Sequence, residues 1–236
     1  MGEKSEAFII SKEESGDSSF VVTFYCKFHG KIDLFVKSAR ISKKRFQGKL
    51  ENGNIYNIEF VKAKKVGSLD SLIGIQIHED NKFVEFDSDV NIYRSIILET
   101  IDKFEIDNQP NENVFNIFKY FNLNIYTKSK AKKIKIIIKS LNQYLKLLGI
   151  QPAIKKCYKC KKEMVNIKFF DLKNGGSVCS RCKSKDNSSI IVLKKMINNK
   201  KLSNDVNQLE ILLLLISRFC EYRSGKIYFL SSLASL

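Results

Sequence analysis

The sequence has 236 residues, with 41 Lys+Arg against 25 Asp+Glu and a formal net charge of +16 at pH 7. A hydrophobic fraction of 44% that includes 17 Phe supplies a core and excludes a disordered chain, and 2 Pro with 11 Gly exclude linker-like or collagen-like material. The excess of positive charge points to an acidic polymer or surface as partner, whereas the bias toward lysine and asparagine is what an AT-rich genome gives any protein.

From Glu6 to about Gln76 apolar residues recur with period two, in runs at Ala7–Ser11, Phe20–Cys26, Lys31–Lys37, Ile55–Ala63 and Leu69–Ile77. Ser15-Gly16-Asp17, His29-Gly30, Asn52-Gly53-Asn54 and Val66-Gly67-Ser68 separate them as turns. Five strands in so short a span predict a small barrel of the OB type. After Asp87 the period becomes helical: Ile92, Ile96, Ile97, Ile101 and Phe104 mark a first helix, with Ser88 placed to cap it. Val114, Phe115, Phe118 and Phe121 mark a second, entered after Pro110. A third runs from about Ser129 to Leu148 on Ile134, Ile137, Ile138, Leu141, Leu145 and Leu148, and stops at Gly149 with Pro152 beyond. A cysteine-bearing segment follows from Lys155 to Lys185, and helices are predicted again over Ile190–Asn198 and Val206–Tyr222.

The cysteine segment carries the most specific chemistry. Cys157-x2-Cys160 and Cys179-x2-Cys182, eighteen residues apart, have the spacing of a four-cysteine zinc site, in which each knuckle aims two thiolates at one tetrahedral ion. Two disulfides, or four unrelated thiols, are the competing reading; a cytosolic chain seldom keeps disulfides. Four thiolates leave no open coordination position, so one Zn2+ per chain would be structural and not hydrolytic. Asn174-Gly175-Gly176 between the knuckles fits the turn of a small β-ribbon, and Cys26 and Cys220 read as buried apolar residues.

The expected architecture is therefore α+β. An N-terminal five-stranded OB-type β-barrel for nucleic-acid binding (1–80) is followed by a helical domain (81–154) with an inserted four-cysteine zinc finger (155–186), and C-terminal helices (187–236) pack on the helical domain.

Two basic segments could contact a polyanion. Between Lys27 and Lys49 stand Lys31, Lys37, Arg40, Lys43, Lys44, Arg45 and Lys49, with Asp33 as the sole acid. Alternation places Lys31, Asp33, Phe35 and Lys37 on one face of a strand and Ile32, Leu34 and Val36 on the other. If the aliphatic face fills the barrel, Phe35 lies among lysines, where it can stack a base while they hold phosphates; packing against the following helices is the alternative. From Lys128 to Lys162 the chain carries lysines and no acid, and Lys130, Lys132, Lys133, Lys135 and Lys139 crowd the start of a helix, where the dipole disfavours cations. That arrangement suits binding better than helix stability, although a merely solvated face would look the same.

No catalytic constellation competes with these. Lys31-Ile32-Asp33-Leu34 approaches the Lys-x-Asp-Gly signature of nucleotidyltransferases, but Leu34 replaces the glycine and the tetrad sits inside a strand pattern. No P-loop, G-x-G-x-x-G or H-E-x-x-H occurs, and His29 and His78 read as structural or solvated. The longest apolar run, Ile211–Ile216, falls far short of the roughly 20 residues that cross a bilayer. No charged leader with an apolar stretch opens the chain, so the expected compartment is the cytoplasm, without a membrane partner.

The order of these parts resembles the bacterial RecO family of recombination mediators. The likeness rests on Ala7-Phe8-Ile9-Ile10, on the stretch from Phe28-His29-Gly30-Lys31 to Lys37-Ser38-Ala39-Arg40, on Leu145-Lys146-Leu147-Leu148-Gly149 leading to Cys157, and on Gly176-Ser177-Val178-Cys179 before Cys182. The family's usual glycine is Ser38 here, and the Lys43-Lys44-Arg45 run is shifted toward lysine. The resemblance implies a non-enzymatic DNA-repair protein of the RecF pathway, associated with the nucleoid. Such a protein binds single- and double-stranded DNA, anneals complementary strands, contacts the C-terminal tail of single-strand-binding protein, and with RecR helps load RecA. The alternative is a zinc-ribbon RNA-binding or transcription-associated factor.

Overall fold

The computed structural model describes residues 2–42, 46, 50–79, 87–183, 190–198 (backbone only) and 205–224. Five strands, β1 (Glu3–Ser15), β2 (Ser19–Cys26), β3 (Gly30–Val36), β4 (Ile55–Val61) and β5 (Asp70–Ile77), close into a barrel in the order β1-β2-β3-β5-β4. Only β3 and β5 run parallel. Closure depends on the length of β1. Its first part pairs with β4, from Glu3↔Phe60 to Phe8↔Ile55, and its later part pairs with β2, from Ala7↔Cys26 to Ser15↔Ser19, with an irregularity between Ile9 and Ser11 that bends the strand. The expected strand Ala7–Ser11 is thus only its apolar middle. Lys12, Glu13 and Glu14 look unlike a strand but are held in one by their partners on β2.

The alternation predicts the barrel core well. Ala7, Ile9, Val22, Phe24, Ile32, Leu34, Val36, Ile58, Phe60, Leu72 and Ile75 are buried together with Cys26. Phe8 and Tyr25 are equally buried outside that cluster. The Phe8 ring stacks on Tyr25 at 5.4 Å and on Phe118 at 4.0 Å, with Phe115 at 6.0 Å. This stack seats α2 (Glu112–Asn124) on the barrel. Gly30, with φ +70, is required because a Cβ there would run into the Gln109 carbonyl; the same segment is fastened by Asn108 N–H to the Lys31 carbonyl at 2.9 Å. Ser38, standing where the resembled family has glycine, also has a left-handed backbone, φ 56, with its N–H on Ser19 Oγ at 3.1 Å.

Two compact units result, Met1–Asp87 with Ile101–Leu123, and Ser88–Thr100 with Asn124–Leu236. Helix α1 (Ser88–Phe104) contributes to both, and Ser88 is its first residue instead of a cap outside it. In the second unit α3 (Lys130–Leu147) starts as expected, Ser129 Oγ accepting from the Lys132 N–H at 3.4 Å. It ends in a Schellman motif: Gly149, φ +72, donates to Lys146 O and Ile150 to Leu145 O, each at 3.0 Å. Ile134, Ile137, Ile138, Leu141 and Leu145 form its buried face.

A three-stranded sheet, β7-β6-β8, follows, built from β6 (Asn166–Asp171), β7 (Gly176–Val178) and β8 (Ile190–Asn198), and α4 (Val206–Ser224) closes the described chain. The helix expected at Ile190–Asn198 is therefore a strand. Its backbone pairs with β6 at Asp171↔Ile190, Phe169↔Val192 and Ile167↔Ile197, and the β-branched Ile190-Ile191-Val192 opening suits the sheet. The predicted α4 is present, one turn at most from its expected ends. Cys26 and Cys220 are both fully buried, and no helix among the described residues is long and apolar enough to cross a membrane.

Candidate metal centre and basic surfaces

The two cysteine knuckles are brought together by the β6–β7 ribbon. Tyr158 N–H donates to Ser177 O at 2.9 Å, and Ala153 exchanges 2.8 Å bonds with Gly175 O and the Ser177 N–H, so the chain before the first knuckle lies beside β7. Asp171, 1% exposed, ties the ends of the ribbon to the knuckle. It accepts from Tyr158 OH at 2.8 Å, from Asn174 Nδ2 at 2.9 Å and from Asn174 N–H at 3.1 Å. Burial, with the hydrogen bond to Asp171, pushes the Tyr158 phenol up to about 12. Gly175, φ +62, has no room for a Cβ against the Phe219 ring, and Phe170 meets that ring edge-on at 6.3 Å. The ribbon is thereby anchored to α4.

Within this frame the Sγ atoms of Cys157, Cys160, Cys179 and Cys182 all lie within 4.8 Å of one another, and Cys160 and Cys179 are 3.8 Å apart. All four are free thiols, so the disulfide reading does not hold. Four sulfurs about 2.3 Å from one tetrahedral ion stand roughly 3.8 Å apart, so the cluster fits a Zn2+-sized centre. The second knuckle turns on Cys182 N–H to Cys179 O at 3.0 Å and Lys183 N–H to the same carbonyl at 3.1 Å. Burial raises the Cys157 thiol, but the backbone N–H groups of Cys160, Cys179 and Lys159 outweigh it and bring the group down to about 6. Hydrogen bonds to Cys179 and Cys160 push Cys182 up to about 12. Four neighbouring thiolates repel one another, and a divalent cation at their centre removes that conflict.

The basic residues fall into two groups. On the barrel, Phe35 is half-buried on the outer face of β3, as the alternation requires, and Lys37 is exposed in the turn that follows the strand. Lys31 shares that face but is only 16% exposed. Its Nζ lies 3.2 Å from Asp107 Oδ1 and 3.4 Å from Asp102 Oδ1, and donates to Asp102 O at 2.9 Å. Arg40 is paired to Glu14 at 2.9 Å. Lys43, Lys44, Arg45 and Lys49 lie outside the described residues. On α3, Lys130 pairs with Glu210 at 2.8 Å and the buried Lys133 approaches Asp89 at 3.8 Å, while Lys132 and Lys139 are exposed and Lys135 is half-buried. Lys155, Lys156, Lys159, Lys161 and Lys162 are exposed around the first knuckle. Asp33 of the nucleotidyltransferase-like tetrad accepts from Thr23 Oγ1 at 2.7 Å.

Comparison with known proteins decides what such a chain is. The family description "Recombination protein O N terminal" matches residues 1–79, and "Recombination protein O C terminal" matches 85–232. The chain belongs to the recombination protein O family. Among its relatives, the DNA repair protein RecO of Thermoanaerobacter sp. (strain X514) is 29% identical over 183 residues, covering 77% of this chain and 71% of that protein. The DNA repair protein RecO of Desulfatibacillum aliphaticivorans is 28% identical over 182 residues, 75% and 70% of the two chains. That of Syntrophus aciditrophicus (strain SB) is 26% identical over 181 residues, 76% and 69%. RecO proteins are non-catalytic recombination mediators, in keeping with a site made of a thiol cluster and lysines.

Sequence reasoning misses two features of this RecO-family chain. The Asp171 network is invisible to spacing, because Tyr158 and Asn174 read only as knuckle and turn residues. The turn Val66-Gly67-Ser68 serves there as a mere separator, although Lys62, Lys64 and Lys65 directly before it are a basic run in plain view.

Proposed function

We propose that this protein is a DNA-binding recombination mediator that anneals complementary strands without nucleotide hydrolysis and acts on DNA coated by single-strand-binding protein. Its partners in this reading are single- and double-stranded DNA, the C-terminal tail of single-strand-binding protein and RecR, and through them RecA. The observation that carries it is Phe35 on the outer face of β3, with the exposed Lys37 in the turn just after it, on an OB-type barrel whose opposite face is sealed by Ile32, Leu34 and Val36. An aromatic platform beside a cation binds single strands without reading sequence. Lys43, Lys44, Arg45 and Lys49 follow closely in the sequence, and Lys132, Lys135 and Lys139 supply a second basic surface, so each basic segment can hold a strand and lower the repulsion between two.

Cys157, Cys160, Cys179 and Cys182 would hold one structural Zn2+, which when bound supplies a divalent charge and a cross-link between the knuckles. The functional division in this reading is a barrel at 1–80, a helical domain at 81–154, a finger at 155–186 and C-terminal elements at 187–236. The test is annealing of complementary strands, both coated by single-strand-binding protein, at low and high salt and without ATP. Annealing that is fast at low salt and suppressed by added salt supports the reading. A requirement for ATP, abolition by the coating, or a preference for structured RNA over single-stranded DNA would overturn it.

A further inference from the structure

The connection between β4 and β5 is short, well anchored and oddly furnished. Asp70, at the start of β5, clamps its base: one carboxylate oxygen accepts the Ala63 N–H at 2.9 Å and the other pairs with Lys62 at 3.1 Å. Lys62 is thereby committed to the protein. Lys64 and Lys65 are exposed, and among the described residues neither takes part in an ion pair. The tip is a tight turn closed by Ser68 N–H to Lys65 O at 3.1 Å, with Gly67 at φ +81, the arrangement of a type II turn that puts Val66 at its first corner.

Val66 is 99% exposed, and Leu69 on the descending side is 43% exposed. Proline or a polar residue would suit that corner, and a β-branched hydrocarbon there does nothing for the fold. Isolated exposed apolar residues are ordinary on protein surfaces, but this one has distinctive surroundings. These come from the register. β3 and β5 run side by side with Leu34↔Asp70 and Phe35↔Ser71, so the loop enters the barrel one residue from the position paired with Phe35. Lys64, Lys65 and the apolar tip therefore border the face that carries Phe35, in the loop position that OB folds use for oligonucleotides.

We propose that the β4–β5 loop grips single-stranded DNA: Lys64 and Lys65 neutralise phosphates, and Val66 enters between two bases and holds them unstacked. An apolar wedge flanked by cations is how proteins open a base step while keeping hold of the backbone. This inference rests on the DNA-binding reading given above and adds to it a second set of contacts beside Phe35.

The test uses the full chain and a single-stranded oligonucleotide carrying 2-aminopurine at an internal position. Wild type should brighten the probe on binding, and log K should fall linearly with log[salt]. The double variant Lys64→Ala/Lys65→Ala should make that slope shallower by about 1.4, from about 0.7 per phosphate contact on single strands. Val66→Ser, at a side chain 99% exposed, should keep the wild-type slope and melting temperature yet lose most of the brightening. An unchanged slope in the double variant, or full brightening with Val66→Ser, overturns the loop's role while salt-dependent binding by wild type leaves the DNA-binding reading standing. Absence of salt-dependent binding by wild type would sink both. Should the variants lose binding to phosphatidylglycerol vesicles while the DNA slope stays unchanged, the loop serves a membrane surface and the inference fails.

Discussion

Lys31 is the residue at which the sequence pattern and the tertiary structure make opposite demands. By alternation it belongs with Phe35 and Lys37 on the strand face proposed for DNA, but its ammonium group is held between Asp102 and Asp107 and on the Asp102 carbonyl. Replacing it with Met keeps most of the aliphatic stem and removes the charge. A part-buried, charge-assisted hydrogen bond contributes about 1.5–3 kcal/mol, and an exposed ion pair about 0–1 kcal/mol. Lys31 is 16% exposed but Asp102 and Asp107 are 38% and 70% exposed, so solvent screens much of the attraction. The expected loss is about 1–2 kcal/mol, part of it from the two carboxylates left facing each other. Urea unfolding of Lys31→Met should show that loss, while the salt slope for single-stranded DNA stays at the wild-type value. Lys37→Met should do the reverse, holding stability and making the slope shallower by about 0.7. If Lys31→Met flattened the slope without loss of stability, the assignment of Lys31 to the fold would be wrong.

Elemental analysis of the purified protein should give one equivalent of zinc, and Cys160→Ser or Cys179→Ser should yield metal-free or insoluble protein, since a structural site contributes on the order of 10 kcal/mol of apparent binding energy. Phe8→Ala should cost about 3–5 kcal/mol by urea titration, because the ring is fully buried against Tyr25, Phe115 and Phe118. Tyr158 titrates above the usual phenol value of 10, at about 12. The neutral phenol is thus favoured by the fold, and its contribution is intact below pH 10 and lost as pH rises through about 12. Tyr158→Phe should therefore be less stable near neutrality and show a shallower alkaline decline in a stability–pH series; an unchanged decline would show that the Asp171 bond does not matter.

Much of this protein is legible one element at a time. The period-two runs locate the five barrel strands and say which side chains enter the core, because a strand with one buried face must alternate. Ser129 and Gly149 mark the ends of α3, since a cap and a left-handed stop are set by their own residue types. The knuckle spacing of Cys157, Cys160, Cys179 and Cys182 selects the cluster before any fold is known, for the ligand geometry within each pair is local.

What required the tertiary structure is whatever depends on a distant partner. Lys12–Ser15 extend because β2 lies beside them, and Ile190–Asn198 form a strand because β6 offers an edge, where a short apolar run alone fits helix and strand alike. Asp171 gathers Tyr158 and Asn174 only when the ribbon folds back on the knuckle. The charges divide in the same way. Composition and sequence establish how many lysines there are and where they cluster, but Lys31, Lys130 and Lys133 meet carboxylates from Asp102, Glu210 and Asp89, far along the chain. Which cations are left for a strand of DNA is thus decided by long-range packing, because Coulomb attraction depends on distance in space and not on separation in sequence.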